Sequence, residues 1–394
     1  MLPPEYLIGC ADEVVETFAA VEDEIIADVA KRIVKMRLVS ETSEWQIMKA
    51  REVGLLNRNV QKILAEASGY SEQEIRRLMN EAGMKALEYD DTIYRMAGLH
   101  PLAFSESPAL AAILLHGTDD TLKLIANFTQ TRAMTTEVAF RNLCDKAFLQ
   151  VMSGAYAPET AIRRAIWELA RQEISKIAYP SGHKSSMENA VRRAVITGVN
   201  QSIAKLQLAR ADEMGCELVE VTSHAGARPS HAVWQGQIYC IRGKHKEYED
   251  FYSATGYGTG AGLCGWNCYH NFYPYFEGLS TPAFSRDPSR DAGRSNNADY
   301  ENQQQQRYYE RQIRAAKKEC VALNAAYEAA NGSAKQSFKE DFDKAALKLK
   351  QREAKMDDFL LRTGRTRLRE REQTPGFNRS VSARAVWAKR KSQT

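Results

Sequence analysis

The chain has 394 residues, of which 44% are hydrophobic, so it is long enough for more than one domain and can supply a substantial core. Its net charge at pH 7 is only +4, but residues 300–394 carry 22 Lys and Arg against 12 Asp and Glu. The net charge of that segment is therefore +10, and the net charge of the other residues is −6. This composition argues against a wholly disordered chain. The sequence also contains no run of about 18 apolar residues, which is the length that predicts a membrane span.

The N-terminal sequence MLPPEYLIGCADEVVE lacks the basic-then-apolar order of a secretory signal. Seven cysteines, an odd number without a framework spacing, fit reduced thiols better than disulfides. We therefore expect the protein to be made and kept in a cytoplasm-like compartment. Most of its cysteines should be buried as small apolar residues.

Residues 1–215 predict a helical domain. From Asp12 to Lys35 the apolar residues recur every three or four positions, which is typical of an amphipathic helix. A second helix is expected to stop at Gly69, and a capping box from Ser71 to Glu74 predicts the start of a third. Further helices are predicted over 109–115, 121–129, 135–152, 158–177 and 185–215.

Residues 216–284 predict a small α+β module, because alternating and β-branched stretches replace the helical pattern. Strands are expected at 217–222, 237–241 and 269–273. The module is also rich in residues that carry chemistry, so a functional or family-defining site is expected here. These residues are His224, His231, His245, His270, Cys240, Cys264, Cys268, Trp234 and Trp266.

The C-terminal part predicts three further segments. Residues 285–302 are polar and rich in Gly, Asn, Ser and Asp, as in a linker. Residues 303–363 predict two helices that break near residue 332, forming a helical hairpin or weak coiled coil. Residues 364–394 are basic and poor in large apolar residues, which predicts a flexible tail. The expected fold class is thus mainly α with a small α+β module.

The basic tail predicts an anionic partner, with nucleic acid as the first hypothesis. Nine basic residues should bind DNA without sequence preference and with a steep salt dependence, while the tail itself should be dispensable for folding. The alternative is a solvated helix with a basic end that binds little DNA. The nine residues are Arg365, Arg367, Arg369, Arg371, Arg379, Arg384, Lys389, Arg390 and Lys391.

Cysteines and histidines of the module are candidate zinc ligands, although their spacing is not that of a standard zinc knuckle or ribbon. On a strand, Cys268 and His270 would face the same side, which allows joint ligation or a Cys/His nucleophile–base pair. The simpler alternative is a packed core with hydrogen-bonded histidines. The candidate ligands are Cys240, Cys264, Cys268, His231 and His270.

Catalysis is the less favoured hypothesis, because Cys268 precedes strand-like aromatics rather than a helix N-terminus that would lower its pKa. The glycine-rich stretch 256–262 lacks the Lys-Ser/Thr of a phosphate-binding loop and predicts a turn instead. We expect no enzymatic activity and no cofactor beyond a structural zinc. The turn should gather one compact cluster of His224, His231, Trp234, Asn267, Cys268 and His270.

A longer pattern carries a family resemblance. It reads HAGARPSHAVWQG at 224–236, GYG at 256–258 and GLCGWNCYH at 262–270. This pattern, within 223–278, resembles the tailed-phage minor capsid protein 2 family, which is akin to the Mu-type head-morphogenesis proteins. Tyr269 stands where the family leads us to expect arginine. The motif positions are His224, Arg228, His231, Trp234, Gly236, Asn267, Cys268 and His270.

The resemblance implies a low-copy structural component of the phage head that takes part in head morphogenesis. Its implied partners are the portal protein, other head proteins and packaged DNA, and its implied location is the capsid interior or the portal vertex after assembly in the host cytoplasm. Two alternatives remain. One is a zinc- or cysteine-dependent hydrolase in which His231, Cys268 and His270 converge around Asn267, and the other is a non-specific DNA-binding protein.

Overall fold

The computed structural model describes residues 2–36, 42–171, 177–178 and 184–391, and these are mostly helical, as the sequence predicted. Two 3-10 turns, Phe104–Glu106 and Arg369–Glu372, accompany the α-helices. The helices are α1 (Pro4–Gly9), α2 (Asp12–Lys35), α3 (Thr42–Met96), α4 (Pro108–Met152), α5 (Pro158–Arg171), α6 (Met187–Glu213), α7 (Pro229–Ala232), α8 (Phe251–Thr255), α9 (Pro288–Asp291), α10 (Asn296–Ala329), α11 (Gly332–Thr363) and α12 (Arg379–Lys391).

Helices α3 and α4 are longer than predicted. Gly69 was expected to end a helix, but α3 continues through it, and α4 joins three segments predicted as separate helices. A single glycine costs a helix only about 1 kcal/mol relative to alanine. The buried side chains of Leu64 and Ile75 on either side of Gly69 offset that cost.

Replacing Gly69 with alanine is therefore expected to stabilise the protein by about 0.5–1 kcal/mol. Gly69 is exposed, and a Cβ built there meets no atom within 4 Å. Gly198→Ala in α6 is the matched control, because its Cβ would lie 2.1 Å from Thr121 Oγ1 and should destabilise the protein. Urea unfolding measures both variants. A destabilised Gly69→Ala variant would contradict the expectation.

Two small antiparallel sheets accompany the helices. Strands β1 (Ile177–Ala178) and β2 (Lys184–Ser185) form a two-residue pairing where the sequence had predicted the end of a helix. Strands β3 (Leu218–Val221), β4 (Ile238–Cys240) and β5 (Phe272–Tyr275) form the second sheet in the order β4-β3-β5. The three strands predicted for the module are thus present.

The third strand begins later than predicted, at Phe272 instead of residue 269. The residues before it form turns, and Cys264 and Asn267 adopt positive φ angles of 58° and 52°. The backbone carbonyls of Cys268 and His270 do not join the ladder, since both accept hydrogen bonds from the side chain of Asn200 in α6. A regular ladder therefore starts only after these contacts.

The chain forms two compact units, each built from separate stretches. The first contains Met1–Val15, Tyr70–Ala126 and Asn189–Gln304, and the second contains Glu16–Gly69, Asn127–Glu188 and Gln305–Thr394. This differs from the consecutive segments expected from the sequence. The reason is that α3, α4 and α10 each contribute residues to both units.

In the first unit the three-stranded sheet shares its core with two of the long helices. Tyr94 of α3 and Ala204 of α6 pack in one buried cluster with Trp234, Phe251 and Phe272. Residues 285–302, expected to be a linker, also pack onto the module. Residue 289 is a buried serine whose hydroxyl accepts a hydrogen bond from the Gly226 amide at 3.0 Å.

In the second unit, α10 and α11 form the predicted antiparallel hairpin. Tyr309 packs on Phe359 with ring centroids 5.4 Å apart, and Lys348 pairs with Glu319 nearer the turn. Residues 364–394, expected to be a flexible tail, contain the second 3-10 turn and α12 in the structure. Val381 and Ala388 of α12 are buried in the core of this unit, and Phe377 and Ala385 pack against it.

Candidate functional site

The structure brings five of the six residues of the expected cluster together. The rings of His224 and His270 stack at 4.5 Å, and Trp234 lies 4.6 Å from His231 and 4.8 Å from His270. Cys268 Sγ lies 3.8 Å from His231 Nδ1 and 3.6 Å from His270 Nδ1. Asn267 is exposed, and its backbone amide donates to Thr197 Oγ1 at 3.3 Å.

Short elements around the sheet position these side chains. Pro229 occupies the first turn of α7, where its missing N–H costs nothing, and the helix then presents His231 inward. The glycine-rich loop turns back so tightly that a Cβ at Gly262 would lie 2.0 Å from the Gly256 carbonyl oxygen. The loop therefore acts as the predicted turn, which returns the chain to His270 just before β5.

Hydrogen bonds fix the tautomers of both inner histidines. His231 Nε2 lies 2.8 Å from the Ala261 carbonyl oxygen, and His270 Nε2 lies 2.9 Å from Gln235 Oε1. Both partners are acceptors, so each Nε2 carries the proton. Each Nδ1 therefore directs a lone pair at Cys268 Sγ.

The site is neutral in charge. Burial raises the pKa of the Cys268 thiol to about 11, and it lowers the pKa of His231 to about 4, with smaller contributions from Arg228 and His224. Burial likewise holds the pKa of His270 well below its ordinary value. At neutral pH the Cys268 thiol therefore stays protonated and the His231 and His270 imidazoles stay uncharged, which does not favour a thiolate nucleophile.

Sequence reasoning missed two residues that build the site. Asn200 of α6 donates to the carbonyls of Cys268 at 3.0 Å and His270 at 2.9 Å, and Gln235 accepts from His270. Asn200 is a polar residue among the buried apolar side chains of α6. This break in the apolar pattern is the signal in the sequence that could have pointed to a role for Asn200. Gln235 lay inside the recognised motif, but its partner is 35 residues away.

The remaining motif and candidate ligand residues lie around the cluster. Cys264 is buried with Sγ 3.7 Å from the His270 carbonyl oxygen, whereas Cys240 packs with Leu218 and Tyr275 in a separate group. Arg228 donates to the Trp266 carbonyl at 3.3 Å. Gly236 has φ 60°, and any Cβ there would collide with the backbone.

Several of the nine basic residues expected to contact DNA make intramolecular contacts. Arg367 pairs with Glu372 and Asp357, each at 2.7 Å. Arg365 donates to Gln306 at 2.7 Å, and the Arg384 guanidinium lies 4.3 Å from the Tyr327 ring centre. Arg371 is half-buried, whereas Arg369 and Arg379 are exposed. The side chains of Lys389, Arg390 and Lys391 lie outside the described residues.

Comparison with known proteins identifies the family. The family described as phage minor capsid protein 2 matches residues 2–361, nearly the whole chain. The chain belongs to this minor capsid protein family. No solved structure matches it.

Two curated relatives of this minor capsid protein are phage structural proteins. A structural protein of Lactococcus phage LL-H is 23% identical over 303 residues, covering 73% of this chain and 80% of that protein. A structural protein of Lactococcus phage mv4 is 45% identical over 67 residues, covering 17% of this chain and 51% of that protein. The minor capsid protein therefore has a structural role in a phage virion. No helix in the described part of the chain is long and apolar enough to cross a membrane.

Proposed function

We propose that this minor capsid protein acts in head morphogenesis, inside the capsid, by binding the portal and other head proteins. The family match over residues 2–361 supports a structural role, and an exposed apolar stripe on α4 supports protein binding. Large apolar patches on a surface commonly mark protein interfaces.

The stripe lies in the part of α4 that belongs to the second unit. Met134, Val138, Leu149 and Met152 are 51–66% exposed. At 100° per residue these four positions lie within about 60° of one another on the helix surface. The same face also carries the charged residues Arg141 and Asp145, which are 43% and 44% exposed. The stripe therefore consists of two apolar pairs, Met134 with Val138 and Leu149 with Met152, on either side of these charges.

A structural role also fits the chemistry of the histidine cluster better than catalysis does. The cysteine-dependent form of the hydrolase alternative needs a reactive Cys268 thiolate, whereas burial raises the pKa of this thiol to about 11. Asn267, the residue around which that alternative was built, is exposed rather than within the cluster. The cluster instead holds α7 against the segment before β5.

Contact with packaged DNA is a second candidate role, favoured by the charge of the C-terminal end. Residues 300–394 carry a net +10, and Arg369 and Arg379 are exposed. The family match ends at residue 361, so residues 362–394, which include Arg369 and Arg379, lie outside it. Such a surface would neutralise phosphates without reading sequence.

The test is a double variant, Met134→Glu with Val138→Glu, in the phage that encodes the chain. We expect the variant to fold normally, to be depleted at least tenfold from purified heads and to lose cross-links to the portal. Leu361→Glu is the control, because Leu361 is an equally apolar and 85% exposed side chain on a different helix, α11. Heads that retain the double variant at the normal level, with portal cross-links intact, would refute this proposed surface.

A further inference from the structure

Three potential metal ligands meet in the histidine cluster. One ligand atom each from His231, Cys268 and His270 lies within 4.8 Å of the other two, and all three residues are buried. They come from two segments, since His231 is in α7 and the other two precede β5. We propose that these three side chains bind one zinc ion.

The spacing of the ligand atoms suits zinc. A tetrahedral ion about 2.3 Å from a thiolate sulfur and about 2.0 Å from an imidazole nitrogen separates the two ligand atoms by about 3.5 Å. Cys268 Sγ lies 3.6 Å from His270 Nδ1 and 3.8 Å from His231 Nδ1. The ligand atoms of the three residues lie within 4.8 Å of one another, whereas two nitrogens of a tetrahedral zinc site are about 3.3 Å apart. Binding therefore requires the two imidazole rings to move closer together, while the sulfur–nitrogen distances change little.

The hydrogen bonds leave the correct atoms available for the ion. Both Nε2 protons are donated to carbonyl oxygens, of Ala261 and of the Gln235 side chain, so both Nδ1 lone pairs point at the sulfur. A thiol has one proton and can satisfy only one of two such lone pairs. Ligating histidines commonly donate their second ring N–H to a carbonyl in this way, which sets their orientation.

The ligand set favours zinc over hard cations. Two imidazole nitrogens and one sulfur match the ligands zinc takes, whereas calcium and magnesium require oxygen ligands. Among the residues that the structure describes, no Asp or Glu belongs to the group formed by His231, Cys268 and His270. Three protein ligands leave the fourth position of a four-coordinate ion for a ligand that these side chains do not supply, such as a water molecule.

The consequence of zinc binding is a cross-link between distant parts of the motif. His231 and Cys268 are 37 residues apart, and the glycine-rich loop lies between them. An ion held by both would tie α7 to the start of β5. Zinc should therefore raise the melting temperature of the protein, because it binds the folded site and the unfolded chain offers no preformed one.

The full-length chain, purified without chelator, tests the proposal by elemental analysis after incubation with zinc chloride and gel filtration. We expect about one zinc per chain in the wild type and at least a tenfold loss of affinity in Cys268→Ala and His270→Gln. Cys240→Ala and His245→Gln are matched controls, since these residues belong to the same module but not to the cluster, and both should retain zinc.

A second measurement uses only the wild-type protein, so it tests the proposal even if the variants fail to fold. Cobalt(II) in place of zinc in the wild type should give the sulfur-to-metal charge-transfer absorption of a thiolate ligand. Wild-type protein that binds no stoichiometric zinc, or a cobalt form without that absorption, overturns the proposal. So does a folded Cys268→Ala variant that binds zinc as tightly as the wild type.

Discussion

Replacing Lys318 with methionine is expected to lower the free energy of unfolding by about 3–5 kcal/mol, because it leaves two buried carboxylates without their shared cation. Lys318 Nζ lies 2.7 Å from Glu22 Oε2 and 2.7 Å from Glu188 Oε1. The carboxylate side chains are only 2% and 7% exposed. Arg314 also pairs with Glu188 at 3.0 Å, so this carboxylate keeps one cation in the variant.

Urea unfolding of the full-length protein measures this effect. Lys62→Met is the matched control, because Lys62 and Glu66 are 4.0 Å apart and both are more than two-thirds exposed. An exposed pair of this kind contributes at most about 0.5 kcal/mol. Equal effects of the two substitutions would show that the Lys318 network is not stabilising.

Deleting all residues after Gly364 is expected to destabilise the protein by on the order of 5 kcal/mol, because several buried polar groups lose their partners. The Gly376 amide donates to Asp23 Oδ2 at 2.8 Å, and Lys317 Nζ donates to the Glu372 carbonyl at 2.8 Å. The deletion also removes Val381 and Ala388 from the core.

This expectation replaces the one drawn from the sequence, in which the segment was dispensable for folding. Thermal unfolding of the deletion variant decides between them, and an unchanged melting temperature would support the sequence-based expectation. The contribution of the C-terminal arginines to DNA binding has to be measured on a variant that still folds. The double variant Arg369→Gln with Arg379→Gln in the full-length chain serves this purpose. These arginines are exposed, and their loss should reduce the salt dependence of DNA binding if they contact phosphates.

The sequence by itself determined the element types and the chemistry of the motif. The three-and-four spacing of α2 and the alternation around β3 are local patterns, and local patterns reflect which side of an element is buried. The motif could be recognised because His224, His231 and Cys268 are rare residue types in a distinctive order. Its glycines predicted that the chain turns back on itself.

Only the tertiary structure decided where helices continue and which partners a side chain finds. Gly69 stays helical because apolar residues on both sides are buried. The segment after Gly364 packs on the core through small side chains such as Val381 and Ala388 and through hydrogen bonds of its backbone, which a count of large apolar residues overlooks. Gln235 and Asn200 fix the histidine cluster through partners 35 to 70 residues away. Such contacts form only when distant segments pack together, so no local pattern in the sequence could predict them.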